Sequence, residues 1–96
     1  MKVIARPMGT GKTRELLTQA YINRAQVLTT NKRALQAKAD AYQIPDVLIF
    51  DWEDMMNDNY DKSRPLYIHK ITDVMEELFT HDFGIKLEGF TITLED

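Results

Sequence analysis

Apolar residues recur at two different periods along this chain. A short β-type run, Val3-Ile4-Ala5, predicts a strand over residues 2–5. From residue 12 the spacing lengthens, and Leu16, Leu17, Ala20 and Tyr21 fall on one face of a helix over residues 12–22 that stops near Asn23-Arg24. Val27 and Leu28 form the buried centre of a second strand, 25–29. Asn31 reads as an N-cap, and Leu35, Ala39 and Tyr42 line one face of a helix over 32–42 that Pro45 bars from continuing. Val47-Leu48-Ile49-Phe50 is apolar throughout, as a strand covered on both faces is, and Asp51 stands at its carboxyl end. The acidic stretch 51–61 reads as irregular. Ser63-Arg64-Pro65 reads as a helix start, with Pro65 in the first turn. That helix runs to Phe79, with Ile68, Ile71, Met75 and Leu78 on its inner face and Val74 and Phe79 flanking. Gly84 ends the turn region after it; a last strand is expected over 90–94, with 85–87 preceding or extending it. The order βαβαβαβ predicts an α/β fold: a three-layer α/β/α sandwich with a mostly parallel sheet, one domain over residues 1–96.

Composition narrows the partners. A chain of 96 residues, 44% hydrophobic and 28% charged, builds one small globular domain. A net charge of −3 and a pI near 5.3 give no global drive toward nucleic acid or an anionic membrane. With no cysteine there is no disulfide, thiolate metal site or cysteine nucleophile. No apolar run approaches the roughly 20 residues of a membrane helix, and the amino-terminal apolar run is too short for a signal peptide. The expected address is the cytoplasm.

The chemistry gathers where the first strand meets the first helix, at Arg6-Pro7-Met8-Gly9-Thr10-Gly11-Lys12-Thr13. Strand, glycine loop, Lys-Thr and helix together make a phosphate-cradling P-loop. Glycines let successive backbone N–H groups turn toward an anion, and the helix that follows adds the positive end of its dipole. The cradle therefore comprises Met8, Gly9, Thr10, Gly11, Lys12, Thr13 and Arg14. Lys12 supplies a point charge for the β/γ-phosphates, and the Thr13 hydroxyl can ligate Mg²⁺. Arg6 occupies the position of the first glycine in the P-loop pattern. Val47 to Asp51 has the form of a Walker B strand, four apolar residues and a carboxylate, which assigns Asp51 to the metal beside Thr13. Strand-end residues of a parallel sheet share one edge, so the glycine loop, Thr29-Thr30-Asn31 and Asp51 should lie together. Strands about 4.8 Å apart put Thr29 to Asn31 about 10 Å from the loop.

Gly9-Thr10-Gly11-Lys12-Thr13-Arg14, followed by Val27-Leu28-Thr29-Thr30-Asn31-Lys32-Arg33-Ala34, resembles the start of a superfamily 1 helicase motor domain. The resemblance covers residues 1 to about 54. It implies a P-loop NTPase-like fold binding ATP and Mg²⁺, and single-stranded nucleic acid at Thr29 to Asn31. Two features depart from it. The first strand begins at residue 2, which leaves no segment ahead of it for adenine, and 96 residues hold no second motor lobe with its arginine finger. The chain is similar to the minimal P-loop proteins found in phages and prophages. In many hydrolysing relatives a glutamate directly follows the Walker B aspartate; here Trp52 follows, and Glu53 is one residue further. Glu53 is a catalytic candidate beside Lys12 and Asp51 only if the strand ends or bulges at Asp51. Otherwise it solvates a loop with Asp54, Asp58 and Asp61.

The remaining polar residues separate the alternatives. Lys32, Arg33 and Lys38, with Arg24, form either a basic patch or a solvated helix face. His69 and His81 have no second histidine or cysteine at ligand spacing. Trp52 and the tyrosines read as core or rim packing, and Thr93 as a strand residue that could meet a γ-phosphate. The expected function is binding of a nucleoside triphosphate, ATP with Mg²⁺, with slow or partner-dependent hydrolysis; self-association could present an arginine to a neighbour's nucleotide. The alternatives are a non-enzymatic interaction module that keeps the fold, and a nucleic-acid accessory protein.

Overall fold

The computed structural model describes Ile4, residues 11–44 and residues 46–91. The expected strand over 2–5, except Ile4, lies outside the described residues, as do Arg6 to Thr10 and residues 92–96 with Thr93.

Helix α1, Lys12–Ile22, occupies the span its apolar spacing predicts and buries Leu16, Leu17 and Ala20. Strand β1, Gln26–Leu28, is buried at every position. Helix α2, Lys32–Ala41, begins at Asn31, whose side chain accepts from the Ala34 N–H and satisfies one of the four unpaired donors of the first turn. Strand β2 is Leu48–Phe50. Helices α1 and α2 and strand β1 match the hydrophobic pattern because each buries its apolar face. Strand β2 buries Phe50 but leaves Leu48 exposed and Ile49 half-buried, so it is not covered on both faces as its apolar run suggests.

The next part differs from expectation. Helix α3, Trp52–Met56, stands where the sequence reads as irregular. Asp51 is its N-cap: the side chain accepts from the Asp54 N–H at 2.9 Å, while Asp54 accepts from the Asp51 N–H at 3.2 Å. This reciprocal capping box starts a helix too short for any periodicity to reveal. The helix expected from Pro65 to Phe79 is corrected to a strand followed by a helix. Leu66–Ile68 is strand β3, and α4 starts only at Ile71 and ends at Glu77, running into a π-helical turn over Leu78–Asp82. Beyond it, residues 85–91 carry no strand, so the expected 85–87 extension is absent and Phe90 and Thr91 are irregular and exposed.

The three strands form one parallel sheet in the order β2-β1-β3, giving a small α/β fold. Gln26, Leu48 and Leu66 lie in register, as do Leu28, Phe50 and Ile68. Alternation along the strands divides the core into two clusters on opposite faces. One joins Leu16, Leu17 and Ala20 of α1 and Leu35 and Ala39 of α2 to Val27 and Val47, with Ile4, Ile49 and Tyr67 against it. The other joins Leu28 and Phe50 to Val74 of α4, with Trp52, Met55, Tyr60 and Ile68 against it. Gln26 is buried, yet its amide is fully used: it donates to the Asp61 and Arg64 carbonyls and accepts from the Asp61 N–H. That fastening holds the loop ahead of β3 and sets the strand beside β1. Among the described residues no helix is long and apolar enough to cross a membrane.

Candidate functional site

Each strand delivers a polar residue to the carboxyl edge of the sheet. One position past the paired residues, the register sets Asp51, Thr29 and His69 in a row across β2, β1 and β3. The ladder continues that far, since Thr29 N–H donates to the Phe50 carbonyl and His69 N–H to the Leu28 carbonyl. Lys70 follows in the left-handed conformation (φ 57°, ψ 64°), which ends β3 abruptly and turns the chain into α4.

His69 is the centre of the edge. Its Nε2 is hydrogen-bonded to the Thr13 hydroxyl at 3.2 Å and its Nδ1 to the Thr29 hydroxyl at 3.1 Å. The ring is only 9% exposed. Burial pushes its pKa down to about 4, and the positive charges of Lys70, Lys38 and Lys12 push in the same direction against Asp73. The imidazole is therefore neutral at pH 7 and sits among three lysines. Beside it lies a cavity of about 120 Å³ whose lining includes Thr29, Thr30, Asn31, Lys38, His69 and Lys70. A larger open depression of about 900 Å³ lies at the opposite, amino edge, between Arg24, Asp46, Asp61 and Arg64; in parallel sheets it is the carboxyl edge that takes ligands.

Helix α1 begins at this same edge. Gly11 is its N-cap with φ 80° and supplies no side-chain cap. The left-handed φ favours glycine, and nothing lies within 4 Å of where a Cβ would be. Lys12 is the first helical residue, half-buried, and Thr13 the second. An uncapped helix start with a lysine on it suits an anion. Of the other cradle residues, Met8, Gly9 and Thr10 lie outside the described residues, and Arg14 stacks on the Tyr42 ring at 5.6 Å, tying α1 to α2.

The acidic candidates take different places. Thr13 meets His69, whereas Asp51 stands two strands from His69, roughly 10 Å backbone to backbone at ordinary strand spacing. One Asp51 oxygen is engaged as a helix cap. Glu53 is exposed on α3. Among the described residues no three His, Asp or Glu side chains gather as a metal site. A Mg²⁺ here would draw on phosphate oxygens and its own waters, with Thr13 and Asp51 as the side chains that would hold it.

At Thr29 to Asn31, the His69 imidazole lies between the Thr29 and Thr13 hydroxyls and is hydrogen-bonded to both. Asn31 is spent on capping, and Lys32 donates to Asp54 at 2.8 Å, an ion pair that raises the lysine pKa and lowers that of Asp54. Trp52 packs on the second core cluster and donates from its indole to Asp82 at 2.6 Å. Sequence reasoning placed His69 inside a helix and so missed it. Its signal is tertiary: only with β3 beside β1 does His69 fall in line with Thr29.

Searches for related proteins return nothing: no family model, curated protein or solved structure matches the chain.

Proposed function

We propose that the chain is a minimal P-loop NTPase-like domain, a three-layer α/β/α sandwich, that binds a nucleoside triphosphate. ATP with Mg²⁺ is the ligand, and hydrolysis is slow or dependent on a partner. The observation that carries this reading is the start of α1: a left-handed Gly11, no side-chain cap, and Lys12 on the first turn. These meet a phosphate's needs with backbone donors, a helix dipole and a fixed cation. Core clusters on both faces of a parallel sheet support the sandwich. The Gly9-Thr10-Gly11-Lys12-Thr13 spacing supplies the rest of the argument. Mg²⁺ would neutralise phosphate charge when bound; Thr13 and Asp51 would hold it at the strand ends. The nucleic-acid reading draws less support, because Asn31 and Lys32 are engaged within the fold.

Calorimetric titration with Mg-ATP tests the proposal. The wild-type chain should bind, and ligand at 100 times its dissociation constant should stabilise the fold by about 2.7 kcal/mol. Lys12→Ala should weaken binding at least tenfold while the unfolding midpoint without ligand stays put. Equal affinity in both proteins removes Lys12 from the site and the P-loop assignment with it.

A further inference from the structure

The bridge between Thr13 and Thr29 has no role in core packing, since two hydroxyls and a neutral imidazole would be replaced at lower desolvation cost by apolar groups. Its consequence falls on Thr13. A threonine on the first turn of a helix has two χ1 rotamers open to it, and its hydroxyl hydrogen points wherever an acceptor offers itself. Here Nε2 of His69 stands 3.2 Å from Oγ1, and the other ring nitrogen is held 3.1 Å from Thr29. The ring cannot swing away: the His69 N–H is paired to the Leu28 carbonyl, the next residue is locked in the left-handed conformation, and the ring is buried.

We propose that His69 is the positioning residue for Thr13: its Nδ1–H donates to Thr29, its Nε2 accepts the Thr13 hydroxyl hydrogen, and both Thr13 lone pairs are left facing the phosphate and its cation. A neutral imidazole has one donor and one acceptor nitrogen, so the two bridges must run in the same sense around the ring. In the opposite sense Nε2–H would donate to Thr13 and consume a lone pair that a cation needs. The inference rests on the nucleotide reading above and adds to it the residue that orients the Thr13 ligand oxygen. The chain Thr29–His69–Thr13 also ties the geometry of Thr13 to the pairing of β1 with β3.

Two measurements test it. Long-range ¹H–¹⁵N NMR of the ligand-free protein reads the tautomer directly; protonation on Nδ1 is expected, and protonation on Nε2 overturns the proposal whatever the protein binds. Calorimetry then compares ATP affinity with and without Mg²⁺. In His69→Phe, which keeps the ring volume, the gain on adding Mg²⁺ should shrink by about tenfold, the scale of one oriented hydrogen bond, while metal-free ATP affinity is unchanged. His69→Gln places an amide near the Nε2 position and should restore the gain. His69→Asn reaches only the Nδ1 position and should not. If His69→Phe does not fold, the contrast between the Gln and Asn variants decides. An undiminished Mg²⁺ gain in folded His69→Phe, or equal rescue by Asn and Gln, overturns the positioning role and leaves nucleotide binding intact. Failure of the wild-type chain to bind ATP at all removes the nucleotide reading and this role with it.

Discussion

Asp51 carries two separable roles in one side chain. As N-cap of α3 it accepts from the Asp54 N–H, a role asparagine fills equally well; as a metal partner it needs its charge. Asp51→Asn should therefore leave stability within a few tenths of a kcal/mol, whereas Asp51→Ala should cost about 1 kcal/mol, both read by urea unfolding. Loss of the Mg²⁺ gain in the fully stable Asn variant would isolate the charge. His69 makes the second residue-level prediction. Its imidazole titrates near 6.5 when unfolded and near 4 when folded, because burial and nearby lysines disfavour the cation. Between those values the unfolded chain binds the extra proton. The contribution of His69 is thus complete above pH 6.5 and declines as pH falls toward 4, by up to about 3 kcal/mol. His81 acts in the opposite sense: Asp82 raises its pKa, so its contribution is full below pH 6.5 and is lost as pH rises from there through its folded value. Asp54, lowered by Lys32, loses its contribution only below 3.8. Stability curves of wild type and His69→Gln should therefore diverge between pH 6.5 and 4 and run parallel above it.

At the scale of elements, β3 depends on a residue that is not part of it. The buried Gln26 amide makes three hydrogen bonds to the backbone of Asp61 and Arg64, and the Gln26 N–H donates to the Pro65 carbonyl at 2.9 Å. Gln26→Ala leaves buried polar groups without partners and should cost about 2–3 kcal/mol. Amide exchange in residues 61–68 should accelerate more than in α1 or α2; uniform acceleration would show that the loop is held by something else. Because β3 carries His69, the same variant should also weaken the Thr13 bridge. Helix α3 is local by comparison. Five residues cannot form a stable helix alone, and this one persists through its capping box, the Trp52–Asp82 bond and the Lys32–Asp54 pair.

At the scale of the whole molecule, the described residues gather Thr13, Thr29 and His69 at one edge of the sheet. Glu53, two residues past Asp51, is exposed on α3. His69 has both ring nitrogens engaged, which leaves it no free acceptor for the proton of an attacking water. Turnover by the isolated chain should accordingly fall far below the roughly 10 s⁻¹ of a typical enzyme. A coupled phosphate-release assay checks this: brisk release, abolished in Asp51→Asn, would require a catalytic group supplied by a second copy or by Glu53.

The sequence by itself determined the elements whose faces repeat: α1 through Leu16, Leu17 and Ala20, α2 through its Asn31 cap, and the apolar strands β1 and β2. It also marked Gly11, whose φ of 80° at the start of α1 is one that glycine takes without steric cost. Local pattern could not decide the segment from Pro65 to Lys70. Pro65 with apolar residues at 68, 71, 75 and 78 suits a helix start as well as a strand end, and no propensity within those residues resolves it. Tertiary structure decided it: β1 has two hydrogen-bonding edges, β2 fills one, and Gln26 fixes 61–64 so that Leu66–Ile68 fills the other. Only that pairing brings His69 into line with Thr29 and against Thr13, across 40 and 56 residues of chain. Such contacts leave no trace in periodicity, because they arise from hydrogen bonds between strands and not from the face any one element buries.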